Sequence, residues 1–294
     1  GVRGMGHFWP LEVQRVVYEQ TDGSELVLAG QVRESEKVTA KRLRESGLEV
    51  AEGNEFVTRY LLKTGNRDIL GQDFRWILEP SIQSRSKPQS MVVFEREEWG
   101  VFIGNLVGVR EKGQLLPDPD VWGSFQTRLD YANGLRDEID ELEKSRIGSI
   151  NYRLERLRLK KRGLEIEGKD DTESLAEIEA DRVLLQKEYE VLEQELGDLY
   201  TRLRSDAVVV NTVDGQELEL PMSSIVDAYQ PNQMNLGGKI GHFFHNVWKF
   251  IAEDPREANT EGGIFPAIFG TVLMVLLMSV FVTPLGVVAA VYLK

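Results

Sequence analysis

The chain has 294 residues, with 48 Asp and Glu against 35 Lys and Arg, a formal net charge of −13. Nucleic acid is excluded as a partner, because its phosphates demand a basic face. With no cysteine, disulfides and cysteine-ligated metals are excluded too, although the compartment is not fixed by this.

From about Leu11 to Val109 the pattern is β-rich. Val13–Tyr18 and Leu26–Leu28 flank Asp22-Gly23, a pair that accepts positive φ and signals a hairpin. Phe56–Leu62 and Phe74–Leu78 flank Gly65-Asn66 in the same way. A helix is expected from Glu36 to Ser46, with Ser35 as N-cap and Gly47 as the stop. Ser81–Ser90 reads as an exposed loop. Met91–Phe94 and Trp99–Val109 follow as strands, the second curved or bulged at Gly100, Gly104 and Gly108.

From about Pro119 to Arg204 the chain becomes helical and charged. Leu175, Ile178, Arg182, Leu185, Tyr189, Leu192, Leu196, Leu199 and Leu203 recur at steps of three and four, a heptad seam with one polar member. A looser seam precedes it: Leu135, Ile139, Leu142, Arg146, Ile150, Leu154, Leu157, Lys161 and Leu164. Gly163, Gly168 and Asp170-Asp171 interrupt between them. An antiparallel coiled-coil hairpin is therefore expected to interrupt the β-domain. The β-domain returns as Ala207–Val213 and Glu217–Leu220 around Asp214-Gly215.

Leu236–Ile251 places Ile240, Phe243, Phe244, Val247, Trp248 and Ile251 on one helical face, with Lys239, His242, Asn246 and Lys249 elsewhere. Such a moment directly before an apolar run suits a helix lying in a membrane interface, in contact with lipid. Ile264–Leu293 holds no charged residue and exceeds the roughly 20 apolar residues that cross a bilayer. Pro284 lies within it, and Gly286 and Ala290 form a small pair that lets another helix approach.

No catalytic constellation is visible. His242 and His245, one turn apart, lack a third metal ligand. Asp118 and Asp120 suit a helix start better than a calcium loop. Gly1, Gly4 and Gly6 follow no strand, and Gly237-Gly238-Lys239 lacks the spacing of a phosphate loop. The basic run Arg153, Arg156, Arg158, Lys160, Lys161 and Arg162 is followed by Glu165, Glu167, Asp170, Asp171, Glu173, Glu177, Glu179 and Asp181. The two runs are expected to face one another. No catalytic, cofactor or metal residue is assigned, and the substrate residues are unknown.

Asn259-Thr260-Glu261-Gly262-Gly263, Thr283-Pro284-Leu285-Gly286 and Ala290-Val291-Tyr292-Leu293 together resemble the second transmembrane segment of PstA-family permeases, subunits of the bacterial phosphate ABC importer. The resemblance covers residues 259–293. It implies a helix running from periplasm to cytoplasm at the start of the permease core, in the bacterial inner membrane, with residues before Ile264 in the periplasm. It also implies a second permease subunit, ATPase subunits and a periplasmic phosphate-binding protein as partners. This chain would then be no enzyme and hold no cofactor, since ATP hydrolysis belongs to the ATPase. The family's ATPase-docking loop and later helices are not in the sequence. A chain beginning at Gly1 is expected to be an internal or truncated piece. The large domain before the helix departs from the family pattern and is expected to dock a protein. Glu253, Asp254, Glu257 and Glu261 against Arg256, before the span, and Lys294 after it do not contradict this orientation.

The expected architecture is an α+β membrane protein fragment. A β-rich extracytoplasmic domain spans 1–117, a coiled-coil hairpin 118–205 and a returning β-hairpin 206–234. An amphipathic helix and linker span 235–263, and a transmembrane helix 264–294. The alternative reading is a single-pass, membrane-tethered coiled-coil adaptor or sensor.

Overall fold

The computed structural model describes residues 6–20, 22–45, 55–168, 172–252, 263 and 265–292. Gly1 and Gly4, the helix end at Ser46-Gly47, Asp170-Asp171 and the Asn259–Gly262 opening lie outside these residues. So do the flanking charges from Glu253 to Glu261, and Lys294. The chain divides into two units, residues 1–105 with 228–294, and residues 106–227.

The first unit contains a five-stranded antiparallel sheet of order β4-β3-β2-β1-β5. Its strands are β1 (Val13–Glu19), β2 (Glu25–Thr39), β3 (Phe56–Lys63), β4 (Phe74–Leu78) and β5 (Ile82–Ser86). Asp22-Gly23 closes the first hairpin, with Gly23 at φ 80°, and Val16 pairs with Leu28. One face buries Val16, Leu28, Leu62 and Ile77, with Tyr18, Tyr60 and Ile82 packed against them.

Two local expectations are corrected here. Glu36 does not start a helix: β2 runs on to Thr39, and among the described residues of this stretch Ala40–Glu45 is helical (α1). Pairing with β3 overrides local propensity, because Val38 faces Val57 across the ladder and both are buried. Ser81–Ser90 is not simply a loop, since its first half forms the edge strand β5 against β1.

Between β3 and β4 the chain makes a buried turn. Gly65 and Asn66 both take positive φ, 59° and 54°, and the short α2 (Arg67–Leu70) follows. At Gly65 a side chain would collide with the Val101 carbonyl. Asn66 behaves as an extra strand residue: its Nδ2 donates to the Ile103 carbonyl at 3.1 Å and its Oδ1 accepts from the Ile103 amide at 2.7 Å. Buried Arg96 adds a second tie, donating twice to Asp68 at 2.8 and 3.0 Å.

The second antiparallel sheet has the order β10-β9-β7-β6-β11, with β8 against β7. These strands are β6 (Met91–Arg96), β7 (Val101–Glu111), β8 (Gln114–Leu115), β9 (Asp206–Asn211), β10 (Glu217–Pro221) and β11 (Ile225–Tyr229). Met91, Val92, Val93 and Phe94 are all buried, so both faces of β6 are covered. Phe94 pairs with Phe102, their rings 6.0 Å apart.

In the second unit the helical part comprises α3 (Val121–Glu141), a π-helical stretch Leu142–Ile147, α4 (Gly148–Glu167) and α5 (Thr172–Leu203). The expected fold, a β-rich domain interrupted by a long coiled-coil hairpin, is corrected by this arrangement. There are two antiparallel sheets, and the first helical arm is broken at the π stretch. The stretch contains Arg146, which a continuous heptad would place in the apolar seam. A π turn holds one extra residue. Here it brings Ile147 onto the cluster of Leu142, Ile150, Leu185 and Leu192, while Arg146 reaches Glu195 at 3.1 Å on the rim. Arg136 fixes the base of α3, donating to the carbonyls of Met222, Ser223 and Ile225 at 3.1, 3.0 and 2.6 Å.

Leu192 is 1% exposed and Leu184 64%. Leu192→Ala is expected to destabilise the helical unit by about 2–5 kcal/mol, whereas Leu184→Ala should stay within about 0.5 kcal/mol. Melting of the full chain in detergent, followed by circular dichroism, checks this: equal shifts for the two variants would place the packing elsewhere.

Candidate membrane-facing surface

Asn235 starts the helix α6 (Leu236–Ala252). Its Oδ1 accepts from the Gly238 amide at 2.7 Å, a side-chain N-cap. Three residues earlier, Asn232 is bonded to both backbone groups of Val13 at 2.8 Å and donates to the Pro88 carbonyl at 2.6 Å. The approach to α6 is thereby tied to the start of β1.

Helix α6 is amphipathic, and its polar side is the one that faces the protein. Lys239 Nζ lies 3.0 Å from Glu12 Oε1, and Lys249 Nζ 3.3 Å from Glu95 Oε2. The two lysine side chains are only 14% and 13% exposed. His242 packs on Tyr229, ring centroids 4.2 Å apart, and Asn246 Nδ2 donates to the Phe8 carbonyl at 3.4 Å. Phe243 and Phe250 complete this face against Phe8, at 6.5 and 5.1 Å.

Leu236, Ile240, Phe244, Trp248 and Ile251 occupy the opposite face, and all are exposed, Trp248 by 69%. At about 100° per residue they form a stripe roughly 120° wide. A helix bordering water places its charges outward and its apolar stripe inward; α6 does the reverse. Phe243, expected on the apolar stripe, packs inward on Phe8 and Trp9, and Leu236 joins the outer face instead.

Helix α7 (Phe265–Tyr292) continues without interruption through Pro284. Its 28 residues give a length of about 42 Å, beyond the roughly 30 Å of a bilayer core. The window Ala267–Pro284 is long and apolar enough to cross a membrane, and none of it is buried within the protein. Thr271 Oγ1 donates to the Ile268 carbonyl at 2.8 Å, so its hydroxyl is satisfied inside the helix. Gly286 and Ala290 are exposed.

The other candidates resolve into structural roles. Asp120 caps α3, accepting from the Gly123 amide at 3.0 Å, and Asp118 accepts from Ser124 Oγ and the Asp120 amide. Those bonds, led by the one from Ser124, hold the Asp118 carboxyl below its ordinary range. Arg153 and Lys160 reach across to Glu188 and Glu177 at 3.7 and 3.8 Å. Arg158 and Arg162 pair with Glu155 and Glu165 on their own helix. His242 and His245 lie 6.3 Å apart, and no group of three or more His, Asp or Glu side chains among the described residues could hold a metal ion.

The partners of the α6 lysines escaped the sequence reading. Lys239 and Glu12 are 227 positions apart, Lys249 and Glu95 154. The available signal was the polar stripe itself, at spacings of three and four.

No family model, no curated protein and no solved structure matches this chain.

Glu12 sits between Lys87 and Lys239, at 2.6 and 3.0 Å. The hydrogen bonds from these two lysines, Lys87 first, hold its carboxyl below the usual glutamate range despite partial burial. A depressed folded pKa contributes stability above the unfolded value, and that contribution is lost as pH falls through the folded one. The contribution of Glu12 to the docking of α6 should therefore be complete at neutral pH, begin to weaken in the ordinary glutamate range and be lost as pH falls through the depressed folded pKa, with the other contacts of α6 remaining. Glu12→Gln should reproduce the loosening at neutral pH. Faster amide exchange across residues 236–252 in both cases is the expected readout; unchanged exchange would remove Glu12 from the anchoring of α6.

Proposed function

We propose that this chain is part of a permease subunit of a type I ABC importer for inorganic phosphate. In this reading α7 crosses a bacterial inner membrane, and the residues before 264 form a periplasmic domain. The observation that carries it is α7, an uncovered apolar helix long enough to cross a bilayer; its Thr283-Pro284-Leu285-Gly286 is part of the sequence resemblance to PstA-family permeases. Proline inside a membrane helix is tolerated when neighbouring helices re-satisfy the freed carbonyl, and the exposed Gly286 and Ala290 allow close approach by such a neighbour. Partners then follow from the resemblance: a second permease subunit, ATPase subunits that hydrolyse ATP, and a periplasmic phosphate-binding protein.

The domain before the helix is proposed to dock a protein rather than phosphate. Its net acidic character repels an anion and slows its encounter. Arg153, Arg158, Lys160 and Arg162 of the basic run of α4 are engaged by carboxylates across the helical pair and along its own helix.

Single cysteines at the exposed positions Ser84 and Gln114 test the topology in a chain that has no other cysteine. Both should react with an impermeant maleimide in intact spheroplasts. Labelling only after lysis would put the domain in the cytoplasm and reverse the orientation. Deleting the gene should abolish high-affinity phosphate uptake, and unaltered uptake would remove the phosphate assignment.

A further inference from the structure

We infer that α6 is a preformed interfacial helix whose outer face, Leu236, Ile240, Phe244, Trp248 and Ile251, lies among the acyl chains of one membrane leaflet. The occupant is identified by three observations. The first is inversion: both lysines of α6 are turned inward onto Glu12 and Glu95, leaving an outer face built from Leu, Ile, Phe and Trp. The second is continuity. Helix α7, in the same unit, lies close to α6 and is long and apolar enough to span a bilayer, so a bilayer that α7 crosses would lie beside α6. The third is fixation: Asn232, Lys239, Asn246 and Lys249 hold α6 to the β-domain. Its apolar face therefore stands formed, without waiting for lipid to induce it.

This arrangement predicts an unusual lipid dependence. Interfacial helices commonly use Lys and Arg on their polar face to reach anionic headgroups. The lysines of α6 are committed to glutamates of their own chain, so its attachment depends on apolar burial and on Trp248 at the interface. Binding should be insensitive to anionic lipid and to salt. The helix would then hold the β-domain against the leaflet at a set angle, instead of leaving it on a free tether.

The inference rests on the membrane-anchored reading of α7, and the test separates the two. The full chain is reconstituted in phosphatidylcholine nanodiscs, with lipid brominated either near the headgroup or near the chain ends. Because the chain has five tryptophans, the signal is the difference between the parent and Trp248→Phe. Shallow bromines should quench the parent more strongly than deep ones, and W248F should lose most of this bromine-dependent quenching. Adding phosphatidylglycerol or salt should change neither result. A second variant, Leu276→Trp in the W248F background, reports on α7 and should be quenched by deep bromines. Quenching of L276W without any contribution from Trp248 would leave the anchor standing and overturn the interfacial helix. In that event, low access of aqueous acrylamide to Trp248 would assign the face to another protein helix, and high access to water. Failure of both probes would overturn the helix and the anchor together.

Discussion

Apolar surface that the protein does not cover must be covered by something else, and much of this chain's architecture follows from where that surface lies. Helix α7 presents apolar side chains, none buried in the window that could cross a bilayer. A hydrophobic span of that length is stable in lipid, where the backbone bonds stay internal, and is a liability in water. Helix α6 extends the same logic to one face. Burying two lysines is costly unless each has a partner, and Glu12 and Glu95 supply the partners. The result is a helix that turns its charges into the protein and Phe244 and Trp248 out.

Elsewhere the described residues bury many of their apolar side chains within the protein. The first sheet buries one face around Val16, Leu28, Leu62 and Ile77. Asn66 then makes paired backbone bonds to Ile103 from a left-handed conformation, which a β-branched residue would resist. In the helical unit, a π turn falls where a heptad pattern meets a charged seam residue. Arg146 reaches Glu195, and Ile147 packs on the leucine cluster. Exposed ion pairs along α4 and α5 contribute little each, about 0–1 kcal/mol, but their pattern is consistent with one antiparallel register.

How much was legible in the sequence depended on the range of each interaction. Asp22-Gly23 and Asp214-Gly215 announced hairpins that form, because turn chemistry is local. Helix α6 was visible from its period, and α7 from its unbroken apolar run. The helix expected at Glu36 failed because pairing with β3 is decided some 20 residues away, beyond what propensity registers. The π stretch contains Arg146, a charged residue in the seam whose partner, Glu195, lies in the facing helix. The partners that hold the polar side of α6 against the protein could not be read, since Glu12 and Glu95 are remote in sequence. Residues 253–262, which carry the opening of the family resemblance, lie outside the described structure, so that resemblance is tied to it only through α7.

Hydrogen exchange on the full chain in nanodiscs tests the central claim most directly, because amides in a bilayer core meet no water. The account predicts that residues 267–284 stay protected for as long as the bilayer is intact and exchange quickly once detergent strips it. Exchange in the intact nanodisc as fast as in the exposed segments would show that α7 is not in the membrane, and would contradict the account at its root.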